Sequence, residues 1–360
     1  MSSLLFLGDT AWPSPNCLDL SYIEKCIGDS RVVLNLEGPI IMQSAASYKV
    51  HNRYKFNLYS FMDFIRVAKN IKVIACSLAN NHSTDYLNGL AATVEVLEKN
   101  KISAFGTSQN PFIEYSIGKH QYIIWGLCSN LTEADFSDRK LRPQPLRPKS
   151  LLQQVKKMRE KNLEKKIIIF IHWGYELSPF PQPADRELAT RLIDYGADYV
   201  IGHHPHVIQP IEQYGRGLIL YSLGNFALPQ HSYRGRVLKY RNESVLSQLG
   251  LRITDEKISF LLMQYDKKES KILVTNEIFL EEMNSNGLRA SFTGMDNISY
   301  KKWFRNVNQQ HKHLPKLSPV FNSYFGLGWV DSLIKQGLLN FKWQTRKAAI
   351  KLGVHKPYNW

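Results

Sequence analysis

Long apolar runs are missing from this sequence. No stretch reaches the ~18 consecutive apolar residues that a membrane-spanning helix requires, because polar residues or glycine interrupt even the most apolar segments. The first residues, Met1 to Asp9, have no basic region ahead of their short apolar stretch, so they do not resemble a secretory signal peptide. We therefore expect a cytoplasmic protein that is at most peripheral to the inner face of the membrane.

Cysteine is scarce, and no two cysteines have CxxC spacing. The chain has four of them, Cys17, Cys26, Cys76 and Cys128. This favours reduced, structural thiols over a disulfide framework or a thiolate zinc site. With 360 residues, of which 44% are hydrophobic and 12% aromatic, the chain can form a sizeable core. The length predicts one large domain with an appendage.

Acidic residues are nearly absent from the C-terminal end. Residues 301–360 contain eleven Lys or Arg and a single acid, Asp331, and they contribute most of the net charge of +15. Apolar residues recur there at helical spacing, namely Trp329, Val330, Leu333, Ile334, Leu338, Leu339 and Phe341. Such a basic amphipathic segment fits an anionic membrane surface or a membrane-bound synthesis complex, and equally a helix docked on its own domain. Nucleic acid is a weak candidate, because no nucleic-acid-binding motif accompanies the charge.

Short apolar runs alternate with helix-period segments through the first two thirds of the chain, which is an α/β pattern. The predicted strands are residues 4–7, 32–36, 73–75, 102–105, 122–127, 167–171, 199–201 and 218–221. The predicted helices are residues 61–69, 87–99, 151–159 and 186–195. From about residue 245, alternating stretches predict antiparallel strands. We predict a layered α/β domain over residues 1–283, a polar linker over 284–318 and a basic, partly helical C-terminal segment over 319–360.

Polar residues follow five of the predicted strands directly. They are Asp9 after the first, Glu37 after the second, Asn80, Asn81 and His82 after the third, His172 after the sixth, and His203, His204 and His206 after the seventh. Ligands of open α/β sheets bind outside the carboxyl ends of the strands, so these side chains should converge. A single histidine after a strand is more often structural, but five such strand ends favour a metal site.

The residue types indicate which metals fit. Carboxylate, amide carbonyl and imidazole together suit divalent ions such as Mn²⁺, Fe²⁺ or Zn²⁺. One ion or two are both compatible with the pattern. Two neighbouring ions could clamp the attacking and leaving oxygens of a displacement and supply hydroxide at neutral pH.

A series of motifs in this order resembles the CapA family of capsule and poly-γ-glutamate synthesis proteins. The motifs are GD (Gly8, Asp9), NLEGP (Asn35 to Pro39), YKF (Tyr54 to Phe56), ANNH (Ala79 to His82), HWGYE (His172 to Glu176), GHHPHVIQ (Gly202 to Gln209) and YSLGNF (Tyr221 to Phe226). They extend from about residue 3 to residue 230. The resemblance implies a fold similar to the calcineurin-like metallophosphoesterases.

The resemblance also implies roles for individual residues. Glu37 would bridge two metals, Asp9 and His206 would hold the first metal, and Asn81, His172 and His204 would hold the second. His82 would be the general acid. His203, Asn225 and Asn80 are candidates for substrate binding or for a supporting position behind the ligands; Asn225 is equally compatible with a turn cap.

The sequence departs from the phosphoesterase pattern where Ala11 stands in place of the usual histidine of Asp-x-His, and Glu37 stands where the pattern has an Asp. The alanine removes an imidazole from the first metal site and leaves a mononuclear site as an alternative. Three functions follow as hypotheses. The first is a metal-dependent hydrolase that acts on an anionic or phosphorylated substrate in cell-surface polymer synthesis. The second is a weakly catalytic or non-catalytic accessory protein of a synthesis or export complex. The third is an ordinary phosphodiesterase or nucleotidase. The basic loop from Arg139 to Lys149 is either a solvated connection or a rim that attracts an anionic substrate.

Overall fold

The computed structural model of the protein describes residues 3–42, 48–50, 56–129, 141–240, 242–310, 320–352 and 354. Its strands are β1 Ser3–Thr10, β2 Ser30–Leu36, β3 Ile40–Ile41, β4 Ser60–Phe61, β5 Val73–Ser77, β6 Ser103–Phe105, β7 Phe112–Ile117, β8 His120–Cys128, β9 Lys166–His172, β10 Tyr199–His203, β11 Ile211–Tyr214, β12 Gly217–Leu220, β13 Ser232–Tyr233, β14 Arg236–Val237, β15 Ser247–Ile253, β16 Ile258–Asp266 and β17 Lys271–Phe279. Its helices are α1 Ser21–Ile27, α2 Phe64–Asn70, α3 Gly89–Lys99, α4 Pro148–Lys161, α5 Pro183–Asp194, α6 Asn297–Gln310 and α7 Gly326–Lys351.

Two large mixed sheets form the centre of the molecule. The first has seven strands in the order β17-β16-β15-β1-β2-β5-β6, and the second has six in the order β11-β12-β10-β9-β8-β7. Strands β1, β2, β5 and β6 are parallel to one another, as are β12, β10, β9 and β8. The late strands β15, β16 and β17 join the first sheet antiparallel to their neighbours, as the alternating sequence predicts.

The central strands are buried on both faces, which explains their continuous apolar sequences. Leu4 and Phe6 of β1 point into the space between the sheets, whereas Leu5 points to the opposite face, where α1, α2 and α3 pack. In the second sheet, Phe170 points inward and lies 6.2 Å from Phe6, measured between ring centroids. Ile169 points outward to α4 and α5. The layered α/β sandwich implied by the resemblance is therefore confirmed.

The segment predicted as a linker differs from that prediction over residues 284–310. It contains α6, and Phe292, Tyr300 and Phe304 are buried against the outer face of the second sheet and α5. Aromatic residues at three- and four-residue spacing bind this helix to the core, although most of its other residues are polar. The linker prediction is wrong for residues 284–310, and residues 311–319 lie outside the described chain.

The C-terminal segment is helical from Gly326 to Lys351, so the predicted basic, partly helical appendage is confirmed over its described part. Within the described residues, no helix combines the length and apolarity needed to cross a membrane. Cys76 and Cys128 are buried, which fits the structural role predicted for them.

Candidate metal centre at the strand ends

Two carboxylates lie fully buried where β1 and β2 end. Asp9 and Glu37 have no solvent-exposed surface. The Asp9 carboxylate accepts hydrogen bonds from the Asn35 side-chain amide at 2.7 Å and from the His204 backbone N–H at 3.0 Å. Burying a carboxylate is costly unless hydrogen bonds or opposite charges compensate, so both residues require a polar or cationic environment.

Imidazole rings surround the Glu37 carboxylate. Its Oε1 lies 3.7 Å from His172 Nε2, 3.8 Å from His206 Nε2 and 3.9 Å from His82 Nε2. These histidines follow three different strands or loops, and the tertiary structure alone brings them to one carboxylate. Glu37 is therefore the centre of the cluster, the position expected of a bridging ligand.

The remaining predicted ligands lie in the same cluster. Asn81 Oδ1 is 2.8 Å from His172 Nε2, and the rings of His172 and His204 are 4.7 Å apart between centroids. Glu37, His204 and His206 each offer a ligand atom within 4.8 Å of the others. The structure thus brings together every residue predicted from the sequence as a metal ligand.

Close backbone approaches position these side chains. A Cβ on Gly8 would lie 2.1 Å from the carbonyl oxygen of Gly224, so only glycine allows the loop that carries Asn225 to cross β1 beside Asp9. His204 and His206 adopt positive φ angles of 94° and 59°, a conformation that is uncommon for residues other than glycine. Backbone strain of this kind is concentrated at functional sites.

His82 is held by an acidic partner. Its Nδ1 lies 2.6 Å from Asp85 Oδ2, and the same carboxylate oxygen accepts the Leu58 backbone N–H at 2.8 Å. An ionised carboxylate only accepts hydrogen bonds, so His82 donates through Nδ1 and directs Nε2 towards Glu37. Asp85 was not among the residues predicted from the sequence, although its position three residues after His82 was a usable signal.

Two of the predicted supporting residues contact ligands, and a third residue was missed. Asn225 Oδ1 lies 2.8 Å from His206 Nδ1, which fixes the ring and leaves its Nε2 facing Glu37. His203 Nδ1 lies 3.4 Å from Asp9 Oδ1. Asn35 bonds Asp9 as described above, but no role was predicted for it, although it lies two residues before Glu37 and therefore on the same side of the extended chain.

The Asn80 side chain forms hydrogen bonds with groups inside the protein. Its Nδ2 donates to Asn35 Oδ1 at 3.1 Å and to the Leu36 carbonyl at 2.8 Å, and its Oδ1 accepts from the His82 backbone N–H at 3.1 Å. These bonds tie the turn after β5 to the end of β2. Asn80 is fully buried, and these hydrogen bonds fit the supporting position of its two predicted alternatives.

Burial and neighbouring groups in the cluster shift the pKa values of Asp9 and His172. Burial by itself raises the pKa of Asp9, but the hydrogen bond and charge of His203, together with His172 and His206, hold that pKa well below its ordinary value. Burial, followed by the neighbouring His204, lowers the pKa of His172 well below its ordinary value despite the opposing charge of Asp9. A charged Asp9 beside a neutral His172 is the combination of protonation states that binds a divalent cation.

Ala11 packs among apolar and aromatic side chains. It is fully buried in an apolar group with Ile41, Phe56 and Leu58, where an imidazole would meet hydrocarbon. Of the YKF motif, Tyr54 and Lys55 lie outside the described residues.

The basic loop is described only from residue 141, so Arg139 and Lys140 lie outside the described chain. Arg142 and Arg147 line a cavity of about 210 Å³ beside Trp125 at the end of β8. Strand β8 is hydrogen-bonded to β9, and Cys128 is paired with His172 in register. Both interpretations of this loop are compatible with its location at the end of β8.

The donor set fits a divalent metal. Two buried carboxylates, an amide oxygen and three imidazoles in one place are the ligands that Mn²⁺, Fe²⁺ and Zn²⁺ share. The protein is thus a layered α/β protein with a candidate metal-binding site at the carboxyl ends of its parallel strands.

The chain belongs to the family of bacterial capsule synthesis proteins PGA_cap, whose family model matches residues 20–230. The match covers more than half of the chain and ends where the series of motifs ends, whereas Asp9 precedes it. The resemblance seen in the motifs is therefore confirmed.

Two relatives are named for the same process. The capsule biosynthesis protein CapA of Bacillus anthracis is 27% identical over 208 residues, 54% of this chain and 50% of the relative. The PGA biosynthesis protein CapA of Bacillus subtilis is 29% identical over 224 residues, 60% of this chain and 58% of the relative. The aligned part of this chain thus spans only about half of these relatives.

Among solved structures, the sulfate thiohydrolase SoxB of Thermus thermophilus aligns with 87% of this chain and 62% of its own, at 12% identity and a TM-score of 0.40. A TM-score of this size supports no inference about activity.

Proposed function

We propose that this protein is a metal-dependent hydrolase of the CapA type that acts in the synthesis or tailoring of a cell-surface polymer such as capsule, exopolysaccharide or poly-γ-glutamate. The observation that carries this proposal is the convergence of the predicted ligands on the buried Glu37 carboxylate. The family membership supports the biological process. The proposed location is the cytoplasm or the inner face of the membrane.

The residues divide between two positions around Glu37. Asp9 and His206 would hold one ion, and Asn81, His172 and His204 would hold the other. When bound, the metal would supply a Lewis acid and a water of lowered pKa. With Ala11 packed in hydrocarbon, the Asp9 position has fewer ligands, so occupancy by one ion is the simpler form of the proposal.

His82 is the proposed general acid. Its Nε2 faces the centre, and Asp85 stabilises the charged ring and fixes its orientation. A protonated His82 would then hold a proton on Nε2, where it can be given to a leaving oxygen. Asp85 would act as a positioning residue.

The proposed substrate group is anionic or phosphorylated. The net charge of +15 attracts anions over a distance, and Arg142 and Arg147 line the cavity beyond the end of β8. An anionic chain with one group at the metal centre could extend along this rim.

Metal analysis of the purified full-length protein tests the proposal. We expect bound Mn, Fe or Zn in the wild type, and its loss in a variant with His172→Ala and His204→Ala. His120→Ala is the matched control, because His120 begins β8 at the opposite end of the second sheet. A folded wild-type protein that binds none of these metals would refute the proposal.

The second candidate is an accessory protein with little or no turnover. The apolar packing of Ala11 favours it, because the first metal position then lacks an imidazole. This function predicts that polymer production in the host cell survives His82→Ala, whereas the hydrolase requires His82. Hydrolysis of a chromogenic phosphodiester with added Mn²⁺ would instead indicate an ordinary phosphodiesterase.

A further inference from the structure

The segment before the last helix is anchored on the core. The Ala184 backbone N–H donates to the Phe321 carbonyl at 2.9 Å, and the Tyr324 hydroxyl donates to Asp185 at 2.6 Å. The Arg191 guanidinium lies 4.1 Å from the ring centroid of Phe325. These contacts fix where α7 begins.

Helix α7 turns a small and polar face towards this anchored segment. Ser332 is buried and its hydroxyl donates to the Ser323 carbonyl. Gly328, one turn earlier, lies so close that a Cβ would be 2.5 Å from the Cβ of Ser323. Lys335 Nζ donates to the Val320 carbonyl at 2.8 Å. The helix therefore contacts its own chain through the face that ordinarily points to solvent.

The apolar face of α7 is exposed. Its side chains recur every three or four residues and form one stripe, with exposures of 90% at Leu327, 47% at Val330, 61% at Ile334, 60% at Leu338 and 69% at Phe341. An apolar stripe of this length on a helix is normally buried in a core. A contiguous exposed apolar surface marks an interaction site.

The charge around this stripe is positive. Lys342, Arg346, Lys347 and Lys351 lie in the second half of α7. The single acid of the region, Asp331, is paired with Lys335 and accepts a hydrogen bond from Asn322. An apolar stripe flanked by cations is complementary to an anionic lipid surface, where the chains bury the stripe and the headgroups meet the cations.

We propose that α7 binds the surface of an anionic membrane, with its axis in the plane of the interface and the stripe from Leu327 to Phe341 directed into the lipid. At 1.5 Å per residue its 26 residues extend about 39 Å along the surface. A second copy of this chain fits less well, because pairing of two α7 helices would bring their cations together. The proposal does not depend on the metal centre.

Vesicle flotation with the full-length protein tests the proposal. We expect binding to vesicles made of equal parts of phosphatidylglycerol and phosphatidylcholine, and weak binding to pure phosphatidylcholine. A variant with Ile334→Ser, Leu338→Ser and Phe341→Ser should lower the partition coefficient more than tenfold. Replacing Lys342 and Lys351 by Gln should lower the partition coefficient about fivefold for each residue, and added salt should lower it as well.

The matched control replaces three exposed polar residues of the same helix, Gln336→Ser, Asn340→Ser and Gln344→Ser. It introduces the same residue type at the same number of positions, so it has a comparable effect on helix propensity. Its vesicle binding should equal that of the wild type. Circular dichroism and metal content should be unchanged in both triple variants, which separates this test from that of the metal centre.

Three outcomes would overturn the proposal. One is a wild-type protein that does not float with anionic vesicles. A second is equal binding by the stripe variant and the control. The third is a lipid-free dimer that the stripe variant abolishes, measured by sedimentation, since the stripe would then bind a second copy.

Discussion

Asp185 is a buried carboxyl that should make stability depend on pH. It lies in the first turn of α5, is only 1% exposed, and accepts a hydrogen bond from the Tyr324 hydroxyl. Burial raises the pKa of Asp185 from 3.8 to about 7, and the hydrogen bonds from Tyr324 and the Gln182 backbone oppose this only in part. The ionisable groups that face it are the phenols of Tyr175, Tyr300 and Tyr324, whose pKa values are all raised, by burial in the first place. They stay neutral between pH 4 and pH 8.

The direction of this pH dependence follows from proton binding. Between the unfolded and folded pKa values the folded state holds a proton on Asp185 that the unfolded state has lost, so the free energy of unfolding falls as pH rises. The contribution is complete below about pH 4 and is lost by about pH 7. Each pKa unit is worth about 1.4 kcal/mol, which gives a loss of about 4 kcal/mol over this range.

Urea unfolding of the wild type and of Asp185→Asn at a series of pH values measures this contribution. The amide keeps an acceptor for Tyr324 but does not titrate. The stability of the wild type relative to the variant should therefore fall by several kcal/mol from pH 4 to pH 8, and groups shared by both proteins cancel. A difference that stays constant over this range would refute the reasoning.

Three further changes have defined outcomes. Asn225→Ala frees the ring of His206 and should weaken metal affinity about 10- to 100-fold in a competition assay with a chelator. Asp85→Asn removes the charge that stabilises the protonated His82, and should lower turnover by about 100-fold while metal content stays unchanged. Gly8→Ala places a Cβ against a backbone carbonyl, and should lower the free energy of unfolding by about 3 kcal/mol or more in a denaturant titration.

The glycine and asparagine changes each have a matched control. Gly337→Ala, where a Cβ would meet no atom within 4 Å, should leave stability unchanged or raise it by up to about 1 kcal/mol through helix propensity. Asn276→Ala on β17 is the control for Asn225→Ala. Equal metal affinity of both asparagine variants, full turnover in Asp85→Asn, or wild-type stability in Gly8→Ala would contradict the corresponding prediction.

The candidate site was largely predictable because its residues follow strands in sequence. Asp9, Glu37 and His172 each come directly after an apolar run, and parallel strands end at one edge of a sheet. Asn35 was missed because a polar residue inside a buried strand has no periodic signal of its own. Its role depends on the distance to Asp9.

The C-terminal third was less predictable. Tyr300 and Phe304 anchor α6 to the core, but the polar residues between them resembled a linker. In α7 the apolar spacing predicted an amphipathic helix correctly, and both a docked helix and a membrane-bound one satisfied that pattern. Only the contacts of Ser332 and Gly328 with the anchored segment decided which face is exposed.

The sequence by itself determined the strands, most of the helices and the chemistry at the strand ends, because periodicity and residue type are local properties of the chain. The tertiary structure decided what depends on distances between remote segments. It placed Asp85 behind His82 and Asn225 behind His206, it buried Asp185 beneath Tyr324, and it left the apolar side of α7 exposed. Pairing, burial and exposure are properties of packing, and a linear pattern does not contain them.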